Sequence, residues 1–223
     1  MTNIDFMSAL HKRQTRDYLA RVNDKDYPKA KAAKLAKKYD FDYWDGDRKI
    51  NYGGYQYMPG RWSAVAKKMI DHYNLNLNAR ILDVGCGKGF LLYDFLKLLP
   101  NAELSGIDIS EYAIDNAKPE IAENLLVGNA TSLPWPDSHF DLVISINTFH
   151  NLHNFDLEQA LKEFERVGKN NKYLCVESYR SEEEKANLLY WQVTCEAFCT
   201  PAEWNWWFEK TNYTGDHSFI FFE

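Results

Sequence analysis

Short apolar runs alternate with amphipathic stretches along most of this chain. Strand-length runs rich in Val, Ile and Leu lie at 81–84, 102–108, 125–130, 140–145 and 172–178. Helical patterns come between them, at about 90–96, 113–117 and 157–168. Apolar strands that alternate with helices are typical of a parallel sheet buried on both faces. The pattern therefore predicts an α/β fold with a mostly parallel sheet.

The C-terminal part leaves the strand number at six or seven. Residues 219–222 form a terminal apolar run that predicts a last strand. Residues 187–199 fit either another strand or the extension of a helix that begins near Glu182. The helix is favoured, which gives six strands. Thr-Pro-Ala-Glu at 200–203 is a capping box and predicts a helix to about Thr211.

The N-terminal third has a different character. Helical patterns occur at 8–22, 28–39 and 62–75. Residues 40–62, which we call the aromatic segment, are dense in Tyr and Trp with interspersed Gly. This density predicts a cover over a ligand. We therefore expect an N-terminal helical cap and aromatic lid at 1–75, and an α/β core with a C-terminal substrate-side segment at 76–223.

Composition and charge narrow the class of protein. The chain has 223 residues, a formal net charge of −6 and a mean hydropathy of −0.52. An acidic chain argues against a nucleic-acid substrate, which favours a basic face. No apolar run reaches about 18 residues, so no membrane span is expected. The first residues lack the layout of a signal peptide, and a cytoplasmic protein is predicted.

The four cysteines do not form a zinc pattern. They are Cys86, Cys175, Cys195 and Cys199. The last two are one helical turn apart, and no second ligand pair accompanies them in the sequence. We therefore predict reduced thiols and no bound metal.

The most informative stretch is 81–89, which reads Ile-Leu-Asp-Val-Gly-Cys-Gly-Lys-Gly. An apolar strand that carries Asp83 is followed by glycines at every second position, Gly85, Gly87 and Gly89. Glycine allows a tight turn and a close approach of the backbone to a ligand. The dinucleotide fingerprint needs a glycine where this chain has Phe90. An acid at position 83 repels a pyrophosphate but suits an ammonium group.

This stretch resembles motif I of the class I S-adenosylmethionine-dependent methyltransferases. The resemblance covers roughly residues 80–180 and includes the strands at 102–108, 125–130 and 140–145. It implies a Rossmann-like sheet and S-adenosyl-L-methionine as the cofactor. In that family the glycine loop lies against the methionine part of the cofactor, and the acid at the Asp83 position helps to hold its amino group.

The resemblance also implies where the rest of the cofactor binds. Asp108 ends the second strand, where an acid bonds the ribose hydroxyls, and Ile109 follows it. In the family, the turn at Asn129 and Ala130 usually carries an acid that accepts a bond from the adenine amino group, and the Asn oxygen can accept the same bond. Asn147 follows the fourth strand, at the edge where open α/β sheets place ligands.

Two residues at this edge are candidates for a general base. Methyl transfer from a sulfonium requires aligned groups, and a neutral hydroxyl or an ammonium acceptor also requires a base. His150 follows the fourth strand, and its ordinary pKa of about 6.5 suits proton removal. The alternative is a structural histidine at a strand end. Glu177 ends the fifth strand and is predicted to contact substrate or to act as the base.

Four further residues are candidates for substrate binding. Tyr52 and Tyr57 are predicted to close over the cofactor, because electron-rich rings attract a sulfonium; packing onto the core is the alternative. Arg61 and Arg180 are predicted clamps for a carboxylate or phosphoryl group, with surface ion pairing as the alternative. An anionic acceptor needs no base, and the arginines would then matter more than His150.

The favoured function is methyl transfer to an O or N atom of a small-molecule acceptor, such as a sugar, carboxylate or phosphoryl metabolite. The protein is expected to be a monomer or a homodimer. A non-catalytic S-adenosylmethionine-binding partner subunit would have the same loop and acids. Methyl transfer to RNA or protein is a further alternative that the acidic charge disfavours. Phe90 disfavours a nicotinamide enzyme.

Overall fold

The computed structural model describes residues 1–10, 17–52 and 55–223. The strands of these residues are β1 (Arg80–Val84), β2 (Glu103–Asp108), β3 (Leu125–Val127), β4 (Phe140–Ile146), β5 (Gly168–Glu177) and β6 (Asp216–Ile220). They form a six-stranded sheet in the order β3-β2-β1-β4-β5-β6. Every neighbouring pair is parallel. The predicted α/β fold with a mostly parallel sheet is confirmed.

Helices surround this sheet. In the described ranges they are α1 (Tyr18–Val22), α2 (Lys29–Ala36), α3 (Phe41–Trp44), α4 (Ser63–Tyr73), α5 (Phe90–Leu98), α6 (Glu111–Asp115), α7 (Asn154–Val167), α8 (Glu182–Trp191) and α9 (Pro201–Lys210). The predicted helices over 28–39 and 62–75 are present as α2 and α4. Among the described helices, none is long and apolar enough to cross a lipid bilayer.

The helix predicted over 8–22 is not continuous. Met7–Ala9 is a single 3-10 turn, and α1 begins only after Asp17. Asp17 has extended backbone, and its side chain accepts a hydrogen bond from the Ala20 N–H, as an N-cap does. Residues 11–16 of the prediction lie outside the described residues.

Side chains that alternate along the strands enter two apolar cores. On one face, Ile81 and Ile144 pack with buried residues of α4 and α5. On the other face, Leu82 and Val143 pack with buried residues of α7 and α9. Burial of each such side chain stabilises the fold by roughly 1.5–3 kcal/mol. The packing on both faces holds the carboxyl ends of the strands in place, where the predicted site residues lie.

The last strand lies earlier in the chain than the run at 219–222 predicted. It occupies Asp216–Ile220 and pairs with β5, with Ile220 opposite Glu177. Phe222 leaves the sheet and is 2% exposed, within a small cluster that includes Leu188 of α8. The polar start of β6 has no apolar signal in the sequence, and it joins the sheet by its pairing with β5.

The helix favoured over 187–199 ends early. α8 stops at Trp191, and Gln192 has extended backbone (φ −75°, ψ 135°). In the described part of the chain no further strand follows before α9, so the sheet has six strands, the favoured number. The end of α8 brings Gln192 beside Glu177 at the edge of the sheet.

The N-terminal residues pack with the core. Asn3 forms a parallel bridge to His217 of β6. Phe6 and Met7 are buried in the same cluster as α4 and α5, and the Phe6 ring lies 4.9 Å from that of Tyr173 in β5. The first ten residues therefore contribute to the core that covers the sheet, and the domain division at residue 75 stays a prediction.

Candidate functional site

The turn after β1 has backbone geometry that favours glycine. The φ angles are +80° at Gly85, +53° at Gly87 and +71° at Gly89. The Gly85 N–H donates to the Ile107 carbonyl at 2.7 Å, which folds the turn against β2. A Cβ at Gly85 would lie 2.0 Å from Thr148 Oγ1. Gly85 is therefore required both for the backbone conformation and for space.

Asp108, at the end of β2, organises this turn. Its carboxylate accepts from the Gly87 N–H at 2.7 Å and from the Ser110 N–H at 2.9 Å. Burial raises the pKa of Asp108, and the backbone donors oppose that rise. A carboxylate has about four acceptor sites, so Asp108 can also accept from a ligand hydroxyl.

Asp83 ends the neighbouring strand and lies on the wall of the same cavity. It is 5% exposed, and burial raises its pKa to about 8, with a smaller contribution from the charge of Asp108. A cation beside this carboxyl group would stabilise its ionised form. The position therefore suits a ligand ammonium group, which would form a charge-assisted hydrogen bond.

Four other predicted cofactor residues, Ile109, Asn129, Ala130 and Asn147, line this cavity as well. Ile109 is 58% exposed and offers an apolar surface. The Asn129 Oδ1 already accepts from the Thr131 N–H at 2.9 Å and the Thr131 hydroxyl at 3.0 Å. The Asn129 oxygen thus already has two protein donors, and its role as acceptor for the adenine amino group stays a prediction.

Trp44 and Asp45 of the aromatic segment lie against the glycine turn. A Cβ at Gly87 would lie 2.7 Å from the Trp44 ring, and Trp44 Nε1 donates to Ser110 Oγ at 2.8 Å. Asp45 accepts from Lys88 Nζ at 2.7 Å, and the Lys88 side chain is only 5% exposed. Loss of one partner would leave a buried charge, which is strongly destabilising. This ion pair and the Trp44 contacts hold the aromatic segment on the turn.

Glu177 and His150 meet two strands away from Asp83, which is about 10 Å along the sheet. His150 is 2% exposed, and burial lowers its pKa to about 3. Its Nδ1 accepts from the Glu177 N–H at 3.3 Å, and its Nε2 lies 3.5 Å from Glu177 Oε2. The neutral ring therefore carries its proton on Nε2, toward the carboxylate. In this geometry His150 supports Glu177 and has no basic nitrogen directed at a substrate.

Tyr52 of the aromatic segment reaches Glu177 through Gln192. The Tyr52 hydroxyl donates to Gln192 Oε1 at 2.6 Å, and Gln192 Nε2 donates to Glu177 Oε1. The same hydroxyl accepts from the Val193 N–H at 2.7 Å. The Gln192 amide cannot flip without the loss of both hydrogen bonds, so this network fixes the orientation of the carboxylate.

Two predicted substrate residues lie elsewhere. The Tyr57 hydroxyl donates to Asp94 Oδ1 at 2.8 Å, and the ring packs on α5. Arg180 is exposed and pairs with Glu184 and Glu223. Within the described residues, neither side chain lines the cavity. The packing alternative for Tyr57 and the ion-pairing alternative for Arg180 therefore fit the structure. Arg61 does line the cavity.

Sequence reasoning missed several residues of the site. Lys88 lies inside the glycine motif, and its place in the motif was a signal that it faces the site. Asp45 and Trp44 contact Lys88 and Ser110 because their part of the chain folds back over the turn, and Ser110 itself is bonded to Asp108. Gln192 follows the end of α8 and belongs to no motif, so nothing local marks it.

The glycine turn, Asp83, Asp108, Glu177 and Gln192 line a cavity of about 520 Å³ at the carboxyl ends of β1, β2, β4 and β5. Small-molecule sites have volumes of about 300–1,000 Å³. The family model for a methyltransferase domain matches residues 75–212. The chain belongs to the methyltransferase domain family. Family and fold imply S-adenosylmethionine as the cofactor, as the sequence predicted.

Curated relatives include methyltransferases of different kinds. The chain is 35% identical over 109 residues to an uncharacterized methyltransferase of Schizosaccharomyces pombe. The match covers 43% of this chain and 38% of that protein. It is 30% identical over 128 residues to a demethylmenaquinone methyltransferase of Symbiobacterium thermophilum. That match covers 53% of this chain and 50% of that protein. Proteins named tRNA and ribosomal RNA methyltransferases also match. The chain therefore spans half or less of the length of these relatives.

Solved structures share the fold of this methyltransferase domain. The YcgJ protein of Bacillus subtilis superimposes with a TM-score of 0.53 and 22% identity, over 66% of each chain. At this identity the likeness establishes the fold and does not extend to the acceptor.

The residues of the cavity fit S-adenosylmethionine. The glycine turn leaves no room for a Cβ at Gly85, and two buried carboxyl groups, Asp83 and Asp108, stand at the ends of adjacent strands. An α-amino group and a pair of ribose hydroxyls are the donors that such carboxylates accept from. Asp83 would hold the amine, Asp108 the ribose, and Ile109 the face of the base.

Asp83 should make cofactor binding depend on pH. Because its pKa in the free protein is about 8, the carboxyl group must lose a proton before it pairs with an ammonium. Affinity for S-adenosylhomocysteine should therefore rise from about pH 6 to about pH 7.5, by up to roughly tenfold per unit. Titration calorimetry measures this, and D83N should bind weakly with a flat profile. A flat profile in the unmodified protein would refute the role of Asp83.

Proposed function

We propose that this chain transfers a methyl group from S-adenosylmethionine to an O or N atom of a small-molecule acceptor. The observation that carries the proposal is the buried Glu177 carboxylate on the wall of the cavity that holds the cofactor residues. Gln192 donates a hydrogen bond to one oxygen of this carboxylate, and His150 Nε2 lies 3.5 Å from the other oxygen. A positioned carboxylate at this place is what an acceptor with a proton to lose requires.

The protein residues have separate tasks in this reaction. S-adenosylmethionine supplies the activated methyl group when it is bound. Asp83 and Asp108 fix the two ends of the site and so set the direction from which an acceptor approaches. The aromatic segment, held by Asp45 on Lys88, covers the turn and keeps water away from the reacting groups. Glu177 takes the acceptor proton.

Glu177 is the better base of the two candidates. The one nitrogen of His150 that can accept a proton faces the backbone, and its pKa of about 3 makes it too weak a base at neutral pH. The remaining nitrogen carries a proton that faces Glu177. We therefore assign His150 as a positioning residue for Glu177 and retain Glu177 as the catalytic base.

A small-molecule acceptor is favoured over RNA or protein. The net charge of −6 does not suit a polyanion, since RNA binding is dominated by phosphate contacts. The aromatic segment lies across the glycine turn and walls the cavity, so an acceptor must be small enough to enter it. RNA methyltransferases among the relatives keep an RNA acceptor as the second candidate.

The free thiols suit a reducing compartment and support a cytoplasmic location.

The test of the function is a metabolite screen scored by the release of S-adenosylhomocysteine. We expect turnover with at least one low-molecular-weight pool and none with total RNA. The E177Q variant serves as the control, because it should bind cofactor but not turn over. Cofactor binding without turnover in any pool would favour the non-catalytic partner subunit instead.

The Tyr52 network predicts a smaller kinetic effect. Y52F removes the donor to Gln192 and so frees the amide that orients Glu177. We expect kcat to fall by about tenfold, the value of one net hydrogen bond, with cofactor affinity unchanged within about twofold. Y190F, at an exposed tyrosine of α8, is the matched control and should behave like the unmodified protein. An equal loss of cofactor affinity in Y52F would indicate a general structural defect.

A further inference from the structure

Carboxyl groups line both the cofactor part and the acceptor part of the cavity. Among the described lining residues, Asp83 and Asp108 belong to the cofactor part, Glu177 stands in the acceptor part, and Asp156 is an exposed acid of α7. The lining cation Lys88 is paired with Asp45 at 2.7 Å. Arg61 is an exposed side chain on the rim. Glu177 therefore gives the acceptor part a buried negative charge.

Arg21 is a buried cation near this part, and its guanidinium lies 4.6 Å from the Trp191 ring. Its guanidinium lies 5.2 Å from the Tyr52 ring and donates to the carbonyl groups of Trp191 and Asn51. Both charges act on the pKa of Tyr52. Burial raises the pKa of Tyr52 most, the charge of Glu177 raises it further, and Arg21 lowers it by less than Glu177 raises it.

Aromatic rings surround this charge. Tyr52, Tyr55 and Trp191 line the cavity, and the Tyr52 and Trp191 rings are 6.1 Å apart. Ring faces attract an ammonium group by cation–π interaction, and the attraction grows when the site is desolvated. A buried carboxylate among aromatic rings is suited to a cation and repels an anion.

We infer that the acceptor is a small amine, which binds as an ammonium ion beside Glu177 and against the rings of Tyr52, Tyr55 and Trp191. This inference rests on the proposed function, because it assigns the substrate class of the same site. The ammonium proton passes to a Glu177 oxygen. The freed lone pair of nitrogen forms the bond to the methyl carbon, and the electrons of the broken carbon–sulfur bond stay on sulfur. Glu177 later releases its proton to solvent.

The inference sets aside the anionic acceptors that the sequence left open. A carboxylate or phosphoryl group would lie beside Glu177 with no buried cation in the acceptor part of the described lining. Of the two arginines that were predicted to clamp such a group, Arg180 pairs with Glu184 and Glu223 instead, and Arg61 lines the cavity with an exposed side chain.

Three probes of one shape and different charge test the inference. Benzylamine, benzyl alcohol and benzoate are titrated by calorimetry into protein saturated with S-adenosylhomocysteine. Benzylamine should bind at least roughly tenfold more tightly than benzyl alcohol, because a hydrogen bond to a charged group is worth about 1.5–3 kcal/mol. Benzoate should not bind. E177Q should remove the preference for the amine, and E209Q, which removes an exposed negative charge of α9, should retain it.

The outcomes separate the two proposals. If S-adenosylhomocysteine binds and benzoate equals or exceeds benzylamine, or benzylamine gives no saturable heat, the amine assignment is overturned and the methyl-transfer proposal stands. If S-adenosylhomocysteine itself does not bind, the proposed function fails, and the amine assignment fails with it. The ranking of probes on the unmodified protein decides the matter even if E177Q does not fold.

Discussion

The D108A variant should bind S-adenosylhomocysteine at least about 100-fold more weakly than the unmodified protein. The Asp108 carboxylate holds the glycine turn through the Gly87 and Ser110 N–H groups, and it is also the expected partner of the ribose hydroxyls. Hydrogen bonds to a charged group contribute about 1.5–3 kcal/mol each, so loss of the ribose bonds alone gives a factor of this size. Titration calorimetry gives the dissociation constants directly.

D115A is the matched control, because Asp115 is an exposed acid at the end of α6. It should retain the affinity of the unmodified protein. A thermal melt of D108A establishes whether the fold survives, since the substitution leaves two buried backbone donors without their acceptor. If folded D108A binds S-adenosylhomocysteine with unchanged affinity, the assignment of Asp108 to the ribose is wrong.

The E177Q variant should lose about 10²–10⁴-fold in kcat with the true acceptor, the usual contribution of a general base. Glutamine keeps the size of the side chain and an oxygen for the Gln192 donor, so the network around it can persist. It has no basic oxygen that can take a proton at neutral pH. Cofactor affinity should therefore change by no more than about twofold, since Glu177 lies two strands from Asp83.

The H150N variant tests whether His150 is the base or only positions Glu177. If His150 only positions Glu177, we expect H150N to lower kcat by less than E177Q does, by about 10-fold, and to leave the shape of the pH–rate profile unchanged. If His150 were the base, H150N would remove the acidic limb of that profile and E177Q would retain most of the activity. Full activity in E177Q would contradict the present assignment.

Local signals explain what the sequence predicted well. The glycine turn forces a positive φ at three positions, and only glycine adopts such backbone without strain, so the motif fixes the structure of 85–89. The capping box at 200–203 is formed in full, with Pro201 as the first residue of α9. At 200–203 neighbouring residues supply the interactions, and at 85–89 the glycines themselves allow the backbone conformation.

Contacts between distant residues explain what the sequence did not show. The position of His150 after the fourth strand suggested a base, but burial and the backbone N–H of Glu177 give His150 a different role. Gln192 forms hydrogen bonds with both Glu177 and Tyr52, which lie 15 and 140 positions away from it along the chain. Such pairings depend on the tertiary fold. The position of β6 depends on it too, because the polar start of this strand pairs with β5.

The central claim is that S-adenosylmethionine binds across the ends of β1 and β2, with its amine on one carboxylate and its ribose on the other. A crystal structure of the protein grown with S-adenosylhomocysteine tests it most directly. We predict the ligand ammonium within hydrogen-bonding distance of Asp83 and the ribose hydroxyls within hydrogen-bonding distance of Asp108. A ligand bound elsewhere, or a cavity that stays without ligand at saturating concentration, would contradict the account.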